Sequence, residues 1–312
     1  MLKKTHNSSM LFLSSSLALV LLVLLMLVPM SVSASSVSDN ANSMSVLDDD
    51  GTEHVFDKPV TKIISLMPHA TELLFEVDAG NYVIGAVQYS NYPEAAKSIP
   101  RVGSYGAINI EAVIALQPEL VIAWPEANRS RELDRLRDLG VSIFVSNPNE
   151  FDEISASLIM FGKITGKEKE AKIAQEKFNK KLNSLRQKFS QKEKVSVFYQ
   201  VWDSPLITQN GNTFISRAIS LCGGVNIFSE LPMTNPQVNV ESILVQDPQV
   251  IIASGMGESR PEWLNDWRQY KTLQAVKNNH LYHVAPDLVQ RPTSRFLLGT
   301  EELCKAIDKA RD

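Results

Sequence analysis

Residues 109–123 read Asn-Ile-Glu-Ala-Val-Ile-Ala-Leu-Gln-Pro-Glu-Leu-Val-Ile-Ala, and residues 239–253 read Asn-Val-Glu-Ser-Ile-Leu-Val-Gln-Asp-Pro-Gln-Val-Ile-Ile-Ala. The two copies lie 130 positions apart without a gap and share five identical residues. Each copy predicts an Asn N-cap, a short helix, a break at Pro118 or Pro248, and a buried strand. The chain is therefore expected to contain two similar α/β lobes.

A charged stretch separates the two copies and carries a helical pattern. Its apolar residues fall on one helical face: Phe178, Leu182, Leu185 and Phe189. A helix of about 25–30 residues from Glu168 would span on the order of 40 Å and could join the lobes as a rigid element. A helix that packs on one lobe only is the alternative. That alternative does not explain why the helix lies between the two copies of the repeat.

The N-terminus has the pattern of a secretory signal peptide. Lys3 and Lys4 precede an apolar run from Leu17 to Met30, and Val32-Ser33-Ala34 then offers small residues to a signal peptidase. Cleavage after Ala34 would release the mature chain outside the cytoplasm. An uncleaved anchor is the alternative, because the apolar run and its Ser-rich flank could nearly span a bilayer.

The chain contains two cysteines, Cys222 and Cys304, and export would place them in an oxidising compartment. An oxidising compartment favours a disulfide between them. A bridge closing a loop of about 80 residues would contribute roughly 4–5 kcal/mol in the chain-entropy model. Two separate buried thiols are the alternative.

These features together predict the organisation of the chain. Strand and helix patterns alternate up to about residue 145, which is typical of α/β structure. The predicted segments are a signal peptide at 1–34, a leader and short β-hairpin at 35–58, an N-terminal lobe at 59–150, an inter-lobe helix at 151–192 and a C-terminal lobe at 193–312.

The composition is that of a globular protein and excludes several functions. The 312 residues are 44% hydrophobic and 21% charged, with a net charge of −4. A nucleic-acid-binding protein usually has a strongly basic face, so this class is not expected. No Gly-x-Ser-x-Gly, phosphate-binding loop or His-Glu-x-x-His occurs in the chain. The sequence therefore predicts a protein that is not an enzyme, with a hydrolase as the weaker alternative.

The positions of the histidines indicate whether a metal site is to be expected. His280 and His283 lie on a predicted strand, where residues three apart point to opposite faces. His69, at a predicted strand end, is the best single candidate. Because no set of three ligands emerges, no metal site is predicted.

Specific motifs resemble one family. The stretch from Ile63 reads Ile-Ile-Ser-Leu-Met-Pro-His-Ala-Thr-Glu-Leu-Leu, and Tyr89-Ser-Asn-Tyr-Pro93 follows Gly85. They resemble the first lobe of the helical-backbone periplasmic binding proteins, which serve ABC importers of cobalamin, haem, siderophores and some metals. The resemblance covers about residues 60–308. Five motifs are similar to the cobalamin-binding branch: Asn109-Ile-Glu111, Val121-Ile-Ala-Trp124, Cys222-Gly-Gly-Val-Asn-Ile-Phe228, Pro236-Gln-Val238 and Leu303-Cys304.

The resemblance implies a ligand cleft between two lobes that a rigid helix joins. It further implies a periplasmic monomer that binds cobalamin, or a related corrinoid, as a transported solute and needs no cofactor. The implied partner is the permease dimer of an ABC importer with its ATPase subunits. Haem or an iron siderophore on the same scaffold is the alternative ligand.

The resemblance also assigns residues to the ligand. Tyr89 matches a cleft tyrosine. A second-lobe loop that contacts the ligand in the family is matched here by Asp287, Leu288, Val289, Gln290 and Arg291. The sequence departs from the family at Tyr105 and Asn235, which each replace a tryptophan, and at Leu288, which replaces an aromatic residue. The cleft is therefore expected to be less aromatic than in the family.

Four aromatic residues are candidates for the cleft on physical grounds: Tyr89, Tyr105, Trp124 and Trp202. A large flat ligand is best held by aromatic faces with a few polar contacts at its edge. Tyr89, Trp124 and Trp202 each follow a predicted strand, and ligands of α/β sheets bind at strand ends. Packing in the core is the alternative for each.

Glu111 and Glu241 occupy identical positions of the repeat, two residues after the predicted N-cap Asn. A favourable interaction with the helix dipole explains either one alone. Two such carboxylates on related lobes suit a partner with twofold symmetry. In the family resembled, the matching carboxylates dock onto permease arginines, and the residues matching Cys222 and Cys304 form a disulfide.

Overall fold

A computed structural model of the chain describes residues 43–312, apart from 105, 126, 127, 129, 256 and 258. The predicted signal peptide at 1–34 and the candidate Tyr105 lie outside the described residues. The described part contains two successive sheets with helices on their faces, in the mixed α/β fold class that was predicted.

The strands form two hairpins and two larger sheets. The N-terminal hairpin consists of β1 (Met44–Leu47) and β2 (Glu53–Phe56). The first sheet contains β3 (Ile63–Ser65), β4 (Val83–Val87), β5 (Arg101–Ser104), β6 (Ala107–Ile108), β7 (Leu120–Ala123) and β8 (Ile143–Val145). The second lobe contains β9 (Val195–Gln200), the small hairpin of β10 (Trp202–Asp203) and β11 (Leu206–Ile207), β12 (Gly224–Asn226), β13 (Val250–Ala253) and β14 (Leu281–His283).

Both sheets are built on parallel pairing. The first has the order β6-β5-β4-β3-β7-β8, in which only β6 runs antiparallel to its neighbour. The second has the order β12-β9-β13-β14 and is parallel throughout. Parallel sheets are covered on both faces, which agrees with the uninterrupted apolar runs of their central strands.

The helices connect the strands and cover the sheets. They are α1 (Pro68–Glu76), α2 (Ile110–Ala115), α3 (Ser130–Asp138), α4 (Phe151–Thr165), α5 (Glu168–Phe189), α6 (Phe214–Leu221), α7 (Val240–Gln246), α8 (Gln274–Lys277), α9 (Pro286–Val289) and α10 (Phe296–Asp308). None of these helices combines the length and apolar character that crossing a bilayer requires.

The two copies of the repeat fold into the same unit. The Asn109 side chain accepts a hydrogen bond from the Ala112 amide at 2.9 Å, and the Asn239 side chain accepts one from the Ser242 amide at 2.8 Å. The strands that follow, β7 and β13, are fully buried and each lies between two parallel neighbours. The repeat therefore supplies a central strand to each sheet.

The stretch 151–192, predicted as the inter-lobe helix, contains two helices. Gly166 ends α4 at φ 68°, a left-handed conformation that glycine adopts without steric cost. The long helix α5 begins at Glu168, as predicted, but its 22 residues span about 33 Å rather than 40 Å. The two helices pack closely, because a Cβ atom at Gly162 would lie only 2.2 Å from that of Ala171.

One apolar core extends across both lobes. Phe151 of α4, Phe214 of α6 and Phe296 of α10 meet with ring centroids 5.3 to 6.1 Å apart. The same core includes buried residues of both sheets and of α5. Each sheet has a separate apolar cluster on its other face. The lobes are thus joined by continuous packing as well as by the chain.

A disulfide links Cys222, directly after α6, to Cys304 of α10, with the Cα atoms 4.7 Å apart. Both residues are fully buried. The predicted pairing is therefore confirmed, and it fixes two helices of the second lobe to each other.

Candidate ligand cleft

The candidate ligand residues lie in the segments that follow the carboxyl ends of the strands. Tyr89 follows β4, Trp124 follows β7, and Trp202 follows β9. The stretch 287–291 follows β14. Crevices at the carboxyl ends of parallel strands are the usual ligand position in α/β folds, so these four segments define the candidate cleft.

Tyr89 is held with its side chain in solvent. It is 67% exposed, and its backbone has φ 66°, a left-handed conformation that is uncommon for tyrosine. The next residue, Ser90, is buried and anchors the loop. Its hydroxyl bonds to Thr71 at 3.2 Å, and its carbonyl accepts from Arg101 at 2.9 Å. The loop therefore presents Tyr89 outward from a fixed base.

Trp124 is half-buried and its indole is fixed by polar partners. Its Nε1 donates to the Asn147 side chain at 2.6 Å, and its backbone amide donates to Asn128 at 2.7 Å. The Asn147 amide in turn donates to Asp49 of the N-terminal hairpin at 2.5 Å. Sequence reasoning missed both asparagines, although Asn128 lies only four residues from Trp124 and Asn147 lies 23 residues away.

His69, the first residue inside α1 after Pro68, contacts Trp124 edge-on with ring centroids 5.9 Å apart. The imidazole is buried, and its Nε2 has no hydrogen-bond partner in the part of the chain that the structure describes. Burial lowers the pKa of His69 to about 4, so the ring is neutral at physiological pH. Within the same described residues, no group of three or more His, Cys, Asp or Glu side chains is arranged to hold a metal ion.

We expect His69 to make the protein less stable in acid. Its pKa is about 4 in the folded state, against an ordinary value of 6.5, so the unfolded chain takes up the proton first. Above about pH 6.5 His69 does not lower the free energy of unfolding. As the pH falls from 6.5 towards 4, the free energy of unfolding decreases by up to about 3 kcal/mol because of this histidine. Urea unfolding of the wild type and His69→Gln between these pH values measures the difference in slope.

The matched control for this prediction is His280→Gln, which removes a half-buried histidine in the second lobe. A His69→Gln protein that loses stability in acid as steeply as the wild type would show that another group is responsible.

Trp202 lies in the β10–β11 hairpin of the second lobe. It is 36% exposed, and its Nε1 donates to the Ser204 carbonyl at 3.0 Å. The preceding strand ends at Gln200, whose side chain donates to the Trp202 carbonyl and accepts from Trp267. The indole of Trp202 is therefore a partly exposed aromatic surface that the second lobe can offer to a ligand.

Arg291 crosses from the second lobe to the first. Its Nη1 donates to Glu72 and to Asn91, both at 2.9 Å, and its Nη2 donates to Asp287 at 2.8 Å. Arg295 adds contacts of 3.3 and 3.4 Å to the Glu72 carboxylate. The ion pair between Asp287 and Arg291 is therefore part of a cluster that both lobes share.

Glu72 is the centre of this arrangement and was not identified as a site residue from the sequence. It lies in α1, within the quoted Pro-His-Ala-Thr-Glu motif, and its side chain is only 4% exposed. Burial raises the pKa of Glu72, while the hydrogen bond and charge of Arg291 and the charge of Arg295 oppose this shift. The apolar surroundings of this carboxylate in the middle of α1 were the available signal, but its partner Arg291 lies 219 positions away.

The remaining residues of the 287–291 stretch differ in their accessibility. Val289 is 2% exposed and packs in the shared core, so its predicted contact with ligand does not agree with its position. Leu288 is half-buried against the same core. Gln290 is exposed, and its side chain donates to the Ser254 hydroxyl at 3.1 Å.

Glu111 and Glu241 are exposed at the second position of α2 and α7. Within the described part of the chain, neither carboxylate has an ion-pair partner. The capping Asn109 and Asn239 satisfy an amide of each first turn, so the two glutamates are not needed as caps.

Comparison with known proteins gives the class of the protein. The family described as "Periplasmic binding protein" matches residues 63–288, well over half of the chain. The chain belongs to this family.

The individual relatives are more specific. A vitamin B12-binding protein of Vibrio campbellii is 35% identical over 257 residues, which cover 81% of this chain and 91% of that protein. The crystal structure of the periplasmic vitamin B12-binding protein BtuF of Vibrio cholerae has a TM-score of 0.75 and 34% identity, covering 81% of this chain and 99% of BtuF. The resemblance to the cobalamin-binding branch is thus confirmed.

A haem-binding protein shares the fold at greater distance. The periplasmic haem-binding protein RhuT of Roseiflexus sp. RS-1 has a TM-score of 0.70 but 18% identity, covering 80% of this chain and 99% of RhuT. This likeness concerns the fold alone.

Proposed function

We propose that this chain captures cobalamin, or a related corrinoid, and delivers it to the permease of an ABC importer. The observation that carries the proposal is the 35% identity to a vitamin B12-binding protein over 91% of that protein's length. The relatives compared above are binding proteins, so the proposed role is capture without chemical change of the solute.

The strand-end loops supply suitable contacts for such a ligand. Corrinoids are large and flat, with an apolar face and amide groups at the edge. Tyr89, Trp124 and Trp202 offer aromatic surface, and Asp287 and Arg291 offer charged hydrogen-bonding groups. Apolar faces with a few polar anchors are the usual composition of a small-molecule site.

The proposed location is the periplasm. The N-terminal pattern of lysines, apolar run and Val-Ser-Ala supports export by a signal peptide. The Cys222–Cys304 disulfide also suits an oxidising compartment. The proposed partners there are the permease dimer and, through it, the ATPase subunits.

We expect the mature protein, residues 35–312, to bind cobalamin with micromolar or tighter affinity in a calorimetric titration. Trp124→Leu and Asp287→Ala should each weaken binding by about 10-fold or more, since buried aromatic and charged anchors dominate binding energies. Ligand binding should also change tryptophan emission in the wild type.

Trp267→Phe is the matched control, because Trp267 is buried in the second-lobe core and bonds to Gln200. Its cobalamin affinity should equal that of the wild type. Absence of heat and of any emission change with cobalamin would contradict the proposal. A Soret band on addition of haem, without cobalamin binding, would identify haem as the ligand instead.

A further inference from the structure

A cluster of charges connects the two lobes beside the candidate cleft. We call Glu72, Asp287, Arg291 and Arg295 the inter-lobe ion cluster. It contains two carboxylates and two guanidinium groups, so its charges balance. Three hydrogen-bonded contacts from the arginines reach Glu72, the only first-lobe carboxylate that the described structure places in the cluster.

The members of the cluster are largely removed from water. The side chain of Glu72 is 4% exposed, that of Arg291 is 11% exposed and that of Arg295 is 21% exposed. Arg295 also stacks on Tyr92, with its Cζ atom 3.9 Å from the ring centroid. A charge buried to this degree is costly unless it is paired, so removing one partner leaves the others uncompensated.

The geometry leaves Arg291 partly free. A guanidinium has five N–H groups. The bonds to Glu72, Asn91 and Asp287 use three of them, two at Nη1 and one at Nη2. Among the described residues, the Nε hydrogen and the second Nη2 hydrogen have no acceptor. Arg291 is therefore fixed in orientation while it still has donors for a ligand.

Helix α1 connects this arginine to the aromatic side of the cleft. His69 and Glu72 lie one turn apart on α1. His69 contacts Trp124, whereas Glu72 holds Arg291. One helix of the first lobe thus positions a candidate aromatic residue of its own lobe and a candidate polar residue of the other.

We propose that Glu72 is the positioning residue of the cleft: it holds Arg291 in its ligand-binding orientation and sets the spacing of the two lobes before ligand arrives. The ligand then enters a cleft whose polar side is already ordered. Pre-ordering of this kind improves affinity because fewer groups lose freedom on binding. The inference rests on the proposed function for its ligand, but the lobe spacing is a property of the ligand-free protein.

The test uses Glu72→Gln in the full mature chain. This variant keeps the side-chain size and an acceptor oxygen but leaves Arg291 and Arg295 with unbalanced charge. Cobalamin affinity should fall about 30-fold or more, as for other pairs in which one buried charge is removed. Glu76→Gln is the matched control: Glu76 lies one turn further along α1, is half-buried, and makes no ion pair with either arginine in the described structure. Its affinity should stay at the wild-type value.

A second measurement is independent of ligand. Small-angle scattering of the ligand-free Glu72→Gln protein should show a larger radius of gyration than the wild type and Glu76→Gln, because the lobes are no longer held together at this side. A variant that lacks the disulfide controls for a general loss of stability. It should match the wild type in both radius and affinity.

The outcomes separate the two proposals. If the wild type binds cobalamin and Glu72→Gln binds equally well with an unchanged radius, the positioning role is overturned. If the wild type does not bind cobalamin, the proposed function fails. An increased radius in Glu72→Gln would still support the role of Glu72 in lobe spacing.

Discussion

Replacing both bridged cysteines with alanine should lower the free energy of unfolding by about 4–5 kcal/mol. The disulfide joins residues 82 positions apart, and opening so long a loop returns conformational freedom to the unfolded chain. Alanine is preferred to serine because both sites are fully buried and a hydroxyl there would need a partner. Urea unfolding of the Cys222→Ala, Cys304→Ala protein against the oxidised wild type measures the loss.

The wild type with its disulfide reduced provides the matched comparison, since it loses the same constraint without any change of sequence. Both proteins should unfold at similarly lowered urea concentrations. Equal midpoints for the oxidised wild type and the double variant would contradict the prediction. They would mean that packing of α6 on α10 alone holds this part of the second lobe.

Reversing the charge of both repeated glutamates should strongly weaken the proposed interaction with the importer. Glu111 and Glu241 are exposed at matching positions of the two lobes, where a permease of two identical subunits can present two matching basic sites. Each reversal replaces an attraction with a repulsion, so we expect about a 10-fold loss for each single variant and about 100-fold for both. The measurement is stimulation of ATP hydrolysis by the reconstituted importer.

Two comparisons make this result specific. Glu168→Lys reverses an exposed carboxylate in the first turn of α5, away from the repeat, and should leave stimulation unchanged. Cobalamin affinity of the free protein should be the same in Glu111→Lys, Glu241→Lys and the wild type. Wild-type stimulation by the doubly reversed protein would show that the two glutamates only stabilise their helices.

Much of the fold could be predicted because the relevant signals are local. The Asn cap, the proline break and the aliphatic run of the repeat each act within a few residues, and they define a helix followed by a central strand in both lobes. The long helix α5 was recognised from its apolar face. The break at Gly166 was missed, because the helical pattern continues on both sides of it.

The candidate site was predictable in position more than in its contacts. The sequence indicated correctly that Tyr89, Trp124 and Trp202 follow strands, and their contact with a ligand stays a prediction. The burial of Val289 depends on a core formed by both lobes, and the contact of Arg291 with Glu72 depends on the approach of α1, 219 positions earlier in the chain. Such long-range contacts have no signature in one sequence.

The short N-terminal hairpin has a practical consequence for work with the protein. Asp48 accepts a hydrogen bond from the Val145 amide, and Asp49 accepts one from the Asn147 amide. A recombinant fragment trimmed to start at Pro59 would keep every strand of both sheets, yet it would lack the brace behind the Trp124 indole. The boundary for expression should therefore be chosen upstream of Met44.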